Sequence, residues 1–254
     1  MRLATFNVLH GRSLTDGRVE ADRLVEAVRR IAADVLALQE VDRQQRRSGS
    51  LDLTEIAATA GGFAAWRFQP SMIGPAGNWR AATPADEGEP GPAYGVALLS
   101  RYPVEAWDVL RLRAAPMRSP VLVAAPRRVL LVADEPRVVV AAVLATPIGR
   151  VTVAAAHLSF VPGWNATQLL RLARWLRRKP SPQVLLGDLN LPGRVPSLLT
   201  GWSMLARSPT YPADLPRWQL DHALGRGKLP AVRSVDTPLL PVSDHRALVI
   251  ELTA

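Results

Sequence analysis

The chain contains no cysteine among its 254 residues. This absence excludes disulfide bonds, thiolate nucleophiles and structural zinc or iron–sulfur sites that depend on cysteine sulfur. A metal ion bound to this protein must therefore be held by carboxylate, amide, imidazole or backbone groups.

Lysine is almost absent as well, although the chain is strongly basic. It supplies two of the 31 basic side chains, Lys179 and Lys228, and the formal net charge is +9 at pH 7. A charge of this size is typical of proteins that bind nucleic acid or an anionic membrane surface. The preference for arginine also fits a coding bias, so the charge by itself assigns no partner.

The sequence has no long hydrophobic run. Its longest uninterrupted apolar stretch covers residues 138–145, far short of the ~18–20 apolar residues that a membrane-spanning helix needs. The first residues lack the sustained apolar segment of a secretory signal peptide and begin directly with a strand-like pattern. We therefore expect a cytoplasmic protein without a transmembrane segment.

The hydrophobic pattern predicts a single α/β domain over residues 1–254. Hydrophobic residues make up 48% of the chain, which is enough for a large core at this length. Apolar residues at helical spacing over 24–32, 53–60 and 169–176 alternate with many short strand-like runs. The number of strands favours two packed β-sheets with helices outside. Irregular loops are predicted at 70–92 and 192–216, two proline-containing stretches without periodicity.

Six of the predicted strands carry only Asn, Asp, Glu or His as the polar residue near one end. These residues are Asn7, Glu40, His157, Asp188 with Asn190, Asp221, and Asp244 with His245. One such residue is most often a turn or cap, but α/β folds also build their functional sites at strand ends. Six ends with the same restricted chemistry predict one shared site.

The residue types in this set are suited to hydrolysis of a phosphate ester. Glu40, Asn7 and Asp244 offer the hard oxygen ligands that suit Mg²⁺ or Mn²⁺ when the ion also binds substrate phosphate. The two histidines and the remaining Asp and Asn residues can activate water, stabilise charge on phosphorus and assist the leaving oxygen. A carboxylate beside a histidine raises the imidazole pKa by stabilising its charged form.

These residues lie in short motifs whose order along the chain matches a known family. The motifs are Thr5-Phe6-Asn7-Val8, Leu38-Gln39-Glu40-Val41-Asp42, Tyr94-Gly95-Val96-Ala97-Leu98-Leu99-Ser100-Arg101, Ala156-His157-Leu158, Leu186-Gly187-Asp188-Leu189-Asn190, Leu220-Asp221-His222 and Ser243-Asp244-His245-Arg246. Through them the chain resembles the endonuclease/exonuclease/phosphatase superfamily, which has a deoxyribonuclease-like fold. Each motif is weak alone, but the combination is specific and spans nearly the whole chain.

The resemblance implies a four-layer α/β/β/α sandwich of two mixed β-sheets flanked by helices. It also implies a phosphoric ester hydrolase that depends on Mg²⁺ or Mn²⁺. Asn7 and Glu40 correspond to residues that bind the catalytic cation, and Asp244 to a residue that lies beside the metal or ligates it.

The same resemblance implies roles for the remaining motif residues. His245 corresponds to the catalytic histidine that touches the scissile phosphate, and Asp221 to the carboxylate that orients it. Asp188 corresponds to the group that positions and deprotonates the attacking water. Asn190 corresponds to an amide donor to a phosphate oxygen, and His157 to the second histidine on the opposite side of the phosphate.

No motif assigns two further roles at the site, the carboxylate partner of the second histidine and a contact with the substrate anion. Family members often orient the second histidine with a carboxylate from the first half of the chain, and Asp52 and Glu55 are the candidates here. Arg43, close after Glu40, is our preferred candidate for contact with a substrate anion.

The sequence leaves the substrate class open. We expect hydrolysis of a phosphodiester in a small molecule, a lipid headgroup or nucleic acid. The net charge favours a DNA-directed endonuclease or exonuclease, whereas the modest length and the lack of an identifiable DNA-reading insertion favour a smaller substrate. A catalytically inert nucleic-acid-binding module is disfavoured, because none of the motif residues is missing.

Overall fold

The computed structural model describes residues 1–123 and 128–253, and within them it has four α-helices and fifteen strands. The helices are α1 (Ala21–Ile31), α2 (Leu53–Gly61), α3 (Trp164–Leu176) and α4 (Val195–Thr200). The strands are β1 (Arg2–Asn7), β2 (Val35–Arg43), β3 (Ala65–Ile73), β4 (Arg80–Ala81), β5 (Ala93–Ser100), β6 (Val104–Leu112), β7 (Arg118–Val123), β8 (Arg128–Ala133), β9 (Arg137–Thr146), β10 (Gly149–His157), β11 (Gln183–Asp188), β12 (Ser203–Met204), β13 (Asp221–Arg226), β14 (Val232–Asp236) and β15 (Leu248–Leu252).

Most of these strands belong to two mixed sheets. The first has the order β14-β15-β1-β2-β5-β3-β4, and the second has the order β12-β13-β11-β10-β9-β6. β1 is parallel to β2 and antiparallel to β15, while β10 is parallel to β11 and antiparallel to β9. β7 and β8 form a separate two-stranded sheet.

Strand β5 shows how the apolar sequence produces the layered arrangement. All eight of its residues are buried. Successive side chains of a strand point to opposite faces of the sheet, so both faces of β5 must be covered. Ala97 and Leu99 pack in the cluster that contains residues of α1 and α2. Val96 and Leu98 pack in the cluster between the two sheets. A continuous apolar run therefore indicates a strand that is covered on both faces.

A third apolar cluster covers the outer face of the second sheet. Leu169 and Leu172 of α3 pack there against Ala154 and Leu185 of β10 and β11. The order of layers is thus helices, sheet, sheet, helices. This confirms the expected four-layer α/β/β/α sandwich.

The predicted loop at 70–92 is partly wrong, because β3 extends through Ile73 and β4 lies within the loop. The local sequence did not indicate a strand at Pro70, since proline cannot donate a ladder hydrogen bond. The pairing of β3 with β5 shifts register between Pro70 and Met72. Proline is tolerated at such an irregularity, and the long-range pairing with β5 maintains the strand.

Five elements besides β4 were not predicted from the sequence, namely β3, β7, β12, β14 and α4. Helix α4 lies inside the predicted irregular region 192–216 and has Pro196 in its first turn. Proline is favoured at that point, because its missing N–H has no acceptor within the helix in any case. No helix in residues 1–123 or 128–253 is both long and apolar enough to span a bilayer.

Candidate active site

Strand pairing brings polar motif residues of the second sheet side by side at one edge. His157 at the end of β10 pairs with Asp188 at the end of β11, and Asp188 pairs in turn with Asp221 at the start of β13. Asn7 ends β1 in the first sheet, and its carbonyl oxygen accepts from the Ser243 hydroxyl at 2.6 Å. This bond joins the Ser-Asp-His segment to the end of β1.

These residues surround one cavity of about 460 Å³. Its lining includes six residues predicted from the sequence, namely Glu40, His157, Asp188, Asn190, Asp244 and His245. The other two motif residues contact members of this set: Asn7 is hydrogen bonded to Glu40 and Asp188, and Asp221 is hydrogen bonded to His245. The structure therefore brings all eight motif residues together.

Asn7 bridges two carboxylates at the acidic side of the cavity. Its Nδ2 donates to Glu40 Oε1 at 3.0 Å and to Asp188 Oδ2 at 3.1 Å, and its Oδ1 accepts from the Leu9 N–H at 3.1 Å. Burial raises the pKa of Glu40, and the charge of Asp244 raises it further. Burial also raises the pKa of Asp188 to about 7.

A hard divalent cation fits this donor set. Burial penalises the charge of Glu40 and Asp188, and a cation beside them would relieve that penalty. Asp244 adds a third carboxylate to the same cavity. Asn7 adds an amide that presents nitrogen to the carboxylates, and half a turn of the amide group would present its oxygen instead. Oxygen ligands of this kind are those that Mg²⁺ and Mn²⁺ bind.

A distortion in strand β2 places Glu40 in the cavity. The pairing of β2 with β5 shifts by one residue between Leu38 and Val41, and Glu40 itself has φ of 55°. A left-handed backbone costs a residue with a side chain roughly 1–2 kcal/mol. Bulges of this kind re-aim side chains and are frequent beside active sites. The local strain at Glu40 is therefore consistent with a functional position.

Glycine at position 187 permits the close approach of β10 and β11. A side-chain carbon at this position would overlap the carbonyl oxygen of Ala156 on the neighbouring strand. The glycine in the Gly-Asp-Leu-Asn motif thus lets the strands pair tightly directly before His157 and Asp188. This pairing sets the separation of the two side chains.

His245 is held by a carboxylate. Its Nδ1 lies 2.8 Å from Asp221 Oδ2, and that oxygen also accepts from the Thr210 hydroxyl at 2.6 Å. Burial alone lowers the pKa of His245, but the charge and hydrogen bond of Asp221 and the charge of Asp188 outweigh burial and raise it to about 10. His245 is therefore an imidazolium at neutral pH.

Ligand atoms of Asp188, Asp221 and His245 also lie within 4.8 Å of one another. This is the arrangement of a possible metal cluster, but Asp221 already has hydrogen-bond partners in Thr210 and His245. The triad is better described as a carboxylate that orients a histidine beside a second carboxylate. Glu40 and Asn7 remain candidate ligands, and Asn7 is hydrogen bonded to both Glu40 and Asp188.

His157 has a different partner from the one expected. Asp52 accepts hydrogen bonds from the backbone N–H groups of Thr54 and Glu55 and caps α2, and Glu55 is exposed. The prediction that Asp52 or Glu55 orients His157 is therefore wrong. The nitrogen Nδ1 of His157 instead lies 3.3 Å from Nη1 of Arg137. Burial lowers the pKa of His157, and the charges of Arg137 and His245 lower it further.

Arg43 lies outside the cavity, so its predicted contact with a substrate anion at this site is not supported. Its guanidinium donates to the carbonyl oxygens of Glu89 and Gly91 and lies over the ring of Phe68. The physical reason is the length of β2, which continues for three residues beyond Glu40, a distance of about 10 Å at 3.3 Å per residue.

Several cavity residues were not among the predicted site residues. Arg137, Phe160 and Tyr211 line the cavity, and the ring of Tyr211 lies 4.8 Å from that of His245 between centroids. Tyr94, which also lines it, belongs to a motif but was assigned no role. Arg137 had no local signal, because a single arginine at the start of an apolar strand resembles any surface arginine.

A comparison with protein-family models agrees with this geometry. The model of the Endonuclease/Exonuclease/phosphatase family matches residues 4–245. The chain belongs to the endonuclease/exonuclease/phosphatase family. Members of this family hydrolyse phosphodiester or phosphate ester bonds and typically use a divalent metal. No curated protein matches the sequence.

Solved structures show the same family fold. An endonuclease/exonuclease/phosphatase from Beutenbergia cavernae is 19% identical, with a TM-score of 0.67 over 98% of this chain and 70% of that chain. The human Nocturnin catalytic domain is 19% identical, with a TM-score of 0.63 over 100% of this chain and 94% of that one. Sphingomyelinase C from Streptomyces griseocarneus is 16% identical, with a TM-score of 0.59 over 100% and 99%. At such identities the likeness shows the fold alone.

Proposed function

We propose that this protein is a divalent-metal-dependent hydrolase that cleaves a phosphodiester by in-line attack of an activated water. One observation carries the proposal: the hydrogen-bonded group Glu40–Asn7–Asp188 and the pair Asp221–His245 border a single cavity. One side of the cavity thus offers metal ligands and a proton acceptor, and the other offers a fixed cation.

Glu40, Asn7 and Asp244 would hold Mg²⁺ or Mn²⁺. When bound, the ion supplies Lewis-acid polarisation of a phosphoryl oxygen. The burial of Glu40 and its proximity to Asp244 support this assignment, because both raise the pKa of the carboxyl in the absence of a cation.

Asp188 accepts the proton of the attacking water in this mechanism. The N–H of Asn190 orients its carboxylate by donating to Oδ1 at 3.0 Å. A general base is most effective when its pKa lies near the working pH. The value of about 7 for the buried Asp188 meets that condition.

Three donors stabilise the charge that develops on the phosphoryl oxygens. His245 contributes a positive charge that Asp221 maintains, and Asn190 and His157 contribute hydrogen-bond donors. Asn190 uses one amide hydrogen to bond the Leu158 carbonyl oxygen at 3.0 Å, and this bond fixes the direction of the amide group. Donors held in place in this way need no reorganisation during the reaction.

A compact substrate is favoured by the shape of the site. The cavity of about 460 Å³ has aromatic walls formed by Tyr94, Phe160 and Tyr211, and concave sites of a few hundred cubic ångströms suit small ligands. We therefore propose a small molecule or a lipid headgroup as the phosphodiester substrate.

A DNA-directed nuclease is the second candidate, and the net charge of +9 favours it. Salt titration of duplex DNA binding distinguishes the two. Several phosphate contacts predict a steep loss of affinity as salt rises, whereas the small-substrate proposal predicts weak binding at physiological salt and no specific complex.

Hydrolysis of bis(p-nitrophenyl) phosphate tests the proposed reaction class. We expect turnover with Mg²⁺ or Mn²⁺, none in excess EDTA, and none by the variant His245→Ala with either ion. Undiminished hydrolysis in EDTA would contradict metal dependence. A panel of abasic duplex DNA, RNA, inositol phosphates, sphingomyelin and nucleotides, assayed beside the same variant, then identifies the substrate class.

A further inference from the structure

Arg137 contacts His157 at the ring nitrogen Nδ1. It begins β9, which pairs with β10 in antiparallel fashion, and His157 ends β10. Nη1 of Arg137 lies 3.3 Å from Nδ1 of His157, and both side chains are buried, with 6% and 7% of their surface exposed. The pair is therefore an internal contact at the cavity wall.

The chemistry of guanidinium decides which nitrogen of His157 carries the proton. Guanidinium has only donors and keeps its charge in proteins. A hydrogen bond between these two groups therefore requires that Nδ1 accept it through its lone pair. The ring proton must then reside on Nε2, since a neutral imidazole has one N–H.

Nε2 of His157 has both an acceptor and a donor nearby. Nε2 lies 3.7 Å from Asp188 Oδ2, a carboxylate oxygen that can only accept while ionised. The amide nitrogen of Asn190 lies 3.4 Å from Nε2 and donates one of its two hydrogens to the Leu158 carbonyl oxygen. The contact of Arg137 with Nδ1 is shorter and comes from a charged donor, so it is the stronger of the two influences on the tautomer.

Asp134 fixes the position of Arg137. Its Oδ1 lies 3.5 Å from Nη2 of Arg137, and its Oδ2 accepts from the Ala115 N–H at 2.7 Å. The Asp134 side chain is fully buried. A buried carboxylate that is itself anchored to the backbone thus holds the charge of Arg137 close to this wall of the cavity.

We propose that Arg137 is a positioning residue that holds His157 as its neutral Nε2–H tautomer, a role that the family pattern led us to expect of a carboxylate. The inference rests on the proposed hydrolase function and deepens it. The two histidines then act differently: His245 supplies charge, and His157 donates a hydrogen bond to a phosphoryl oxygen. His157 neither gains nor loses a proton in this step.

Nitrogen NMR of the histidine side chains tests the inference without any activity. The chain has four histidines, so a full-length protein labelled with ¹⁵N-histidine gives few signals, and His157→Gln identifies those of His157. We expect the wild-type spectrum to show a bare Nδ1 and a protonated Nε2. A protonated Nδ1 in His157 would overturn the inference.

Two substitutions at position 137 separate positioning from packing. Arg137→Met keeps much of the volume but removes the donor, so we expect a mixture of both tautomers. Arg137→Lys keeps a donor without an acceptor, so we expect the Nε2–H tautomer to be retained. A tautomer that is unchanged in Arg137→Met would show that Arg137 does not determine it.

Kinetics with bis(p-nitrophenyl) phosphate adds a second readout. We expect Arg137→Met to lower kcat by about tenfold to 100-fold, the range typical of residues that orient a ligand or catalytic group, and Arg137→Lys to recover most of it. An effect on KM alone, with the tautomer unchanged, would assign Arg137 to substrate binding and overturn the positioning role. Absence of all hydrolysis in the wild type would refute the proposed function while leaving the tautomer result valid.

Discussion

At the scale of single residues, the site consists of similar groups whose environments differ. His245 and His157 are both buried, yet Asp221 contacts Nδ1 of the first and Arg137 contacts Nδ1 of the second. The pKa of His245 is raised to about 10, and that of His157 is lowered. The neighbour at Nδ1 thus separates a charged imidazole from a neutral one within a single cavity.

The Asp221–His245 pair predicts a specific dependence of stability on pH. The pKa of His245 rises from 6.5 to about 10 on folding, so the native state binds the proton more tightly than the unfolded state. We expect the difference in free energy of unfolding between wild type and His245→Gln to be constant below pH 6.5 and to decrease as pH rises to 10. Urea titrations across this range measure it. A difference that stays flat from pH 6.5 to 10 would contradict the ion pair.

The roles of some single residues at the site could not be predicted from the sequence. The eight motif residues were predicted because each lies near the end of a recognisable strand or directly before one. Arg137 and the misassigned Arg43 differ only in tertiary surroundings: the first begins a strand beside β10, and the second lies three residues past a bulge. Pairing partners and bulges are long-range properties that no local pattern contains.

At the scale of secondary-structure elements, Asp52 stabilises α2 and contacts no member of the site. Its carboxylate accepts from two N–H groups in the first turn, and removal of such a cap costs about 1 kcal/mol. We expect Asp52→Ala to lose this much in the free energy of unfolding and to keep wild-type kcat/KM. A large loss of activity at unchanged stability would restore Asp52 as the partner of His157.

The pairing of β10 with β11 is the element on which the catalytic geometry depends most. In Gly187→Ala the added methyl group overlaps the Ala156 carbonyl oxygen, so the strands must separate next to His157 and Asp188. We expect a loss of about 1–3 kcal/mol in stability, as for other overpacked sites, and a fall in kcat of at least about tenfold, since displacements near 1 Å cost up to 10²-fold. Thermal melts and steady-state assays measure both. Full activity in a stable variant would show that this close contact does not position the site.

Elements were predicted well where their own sequence contained the signal. α1, α2 and α3 have an apolar face, and β5 and β10 are rich in apolar residues, so their approximate bounds followed from the hydrophobic pattern. β4, β12 and β14 lie at sheet edges, and their sequences are short and largely exposed. Their strand conformation depends on a partner that lies elsewhere in the chain, which explains why they were missed.

At the scale of the whole molecule, a basic chain encloses an acidic pocket. The net charge is +9, whereas Glu40, Glu135, Asp188 and Asp244 line the cavity. A net positive charge attracts phosphate substrates over long range, and the carboxylates inside are the ligands that we propose for a cation. The four-layer arrangement makes this possible, because strand ends of both sheets meet at the same edge.

Diffraction from crystals soaked in Mn²⁺ tests the central claim most directly. Anomalous scattering locates the ion without reference to activity. The account predicts a strong peak bounded by Glu40 and Asp244, with Asn7 in contact, and no peak in crystals of Glu40→Gln. A peak only between Asp188, Asp221 and His245, or no bound Mn²⁺ at this edge of the sheets, would contradict it.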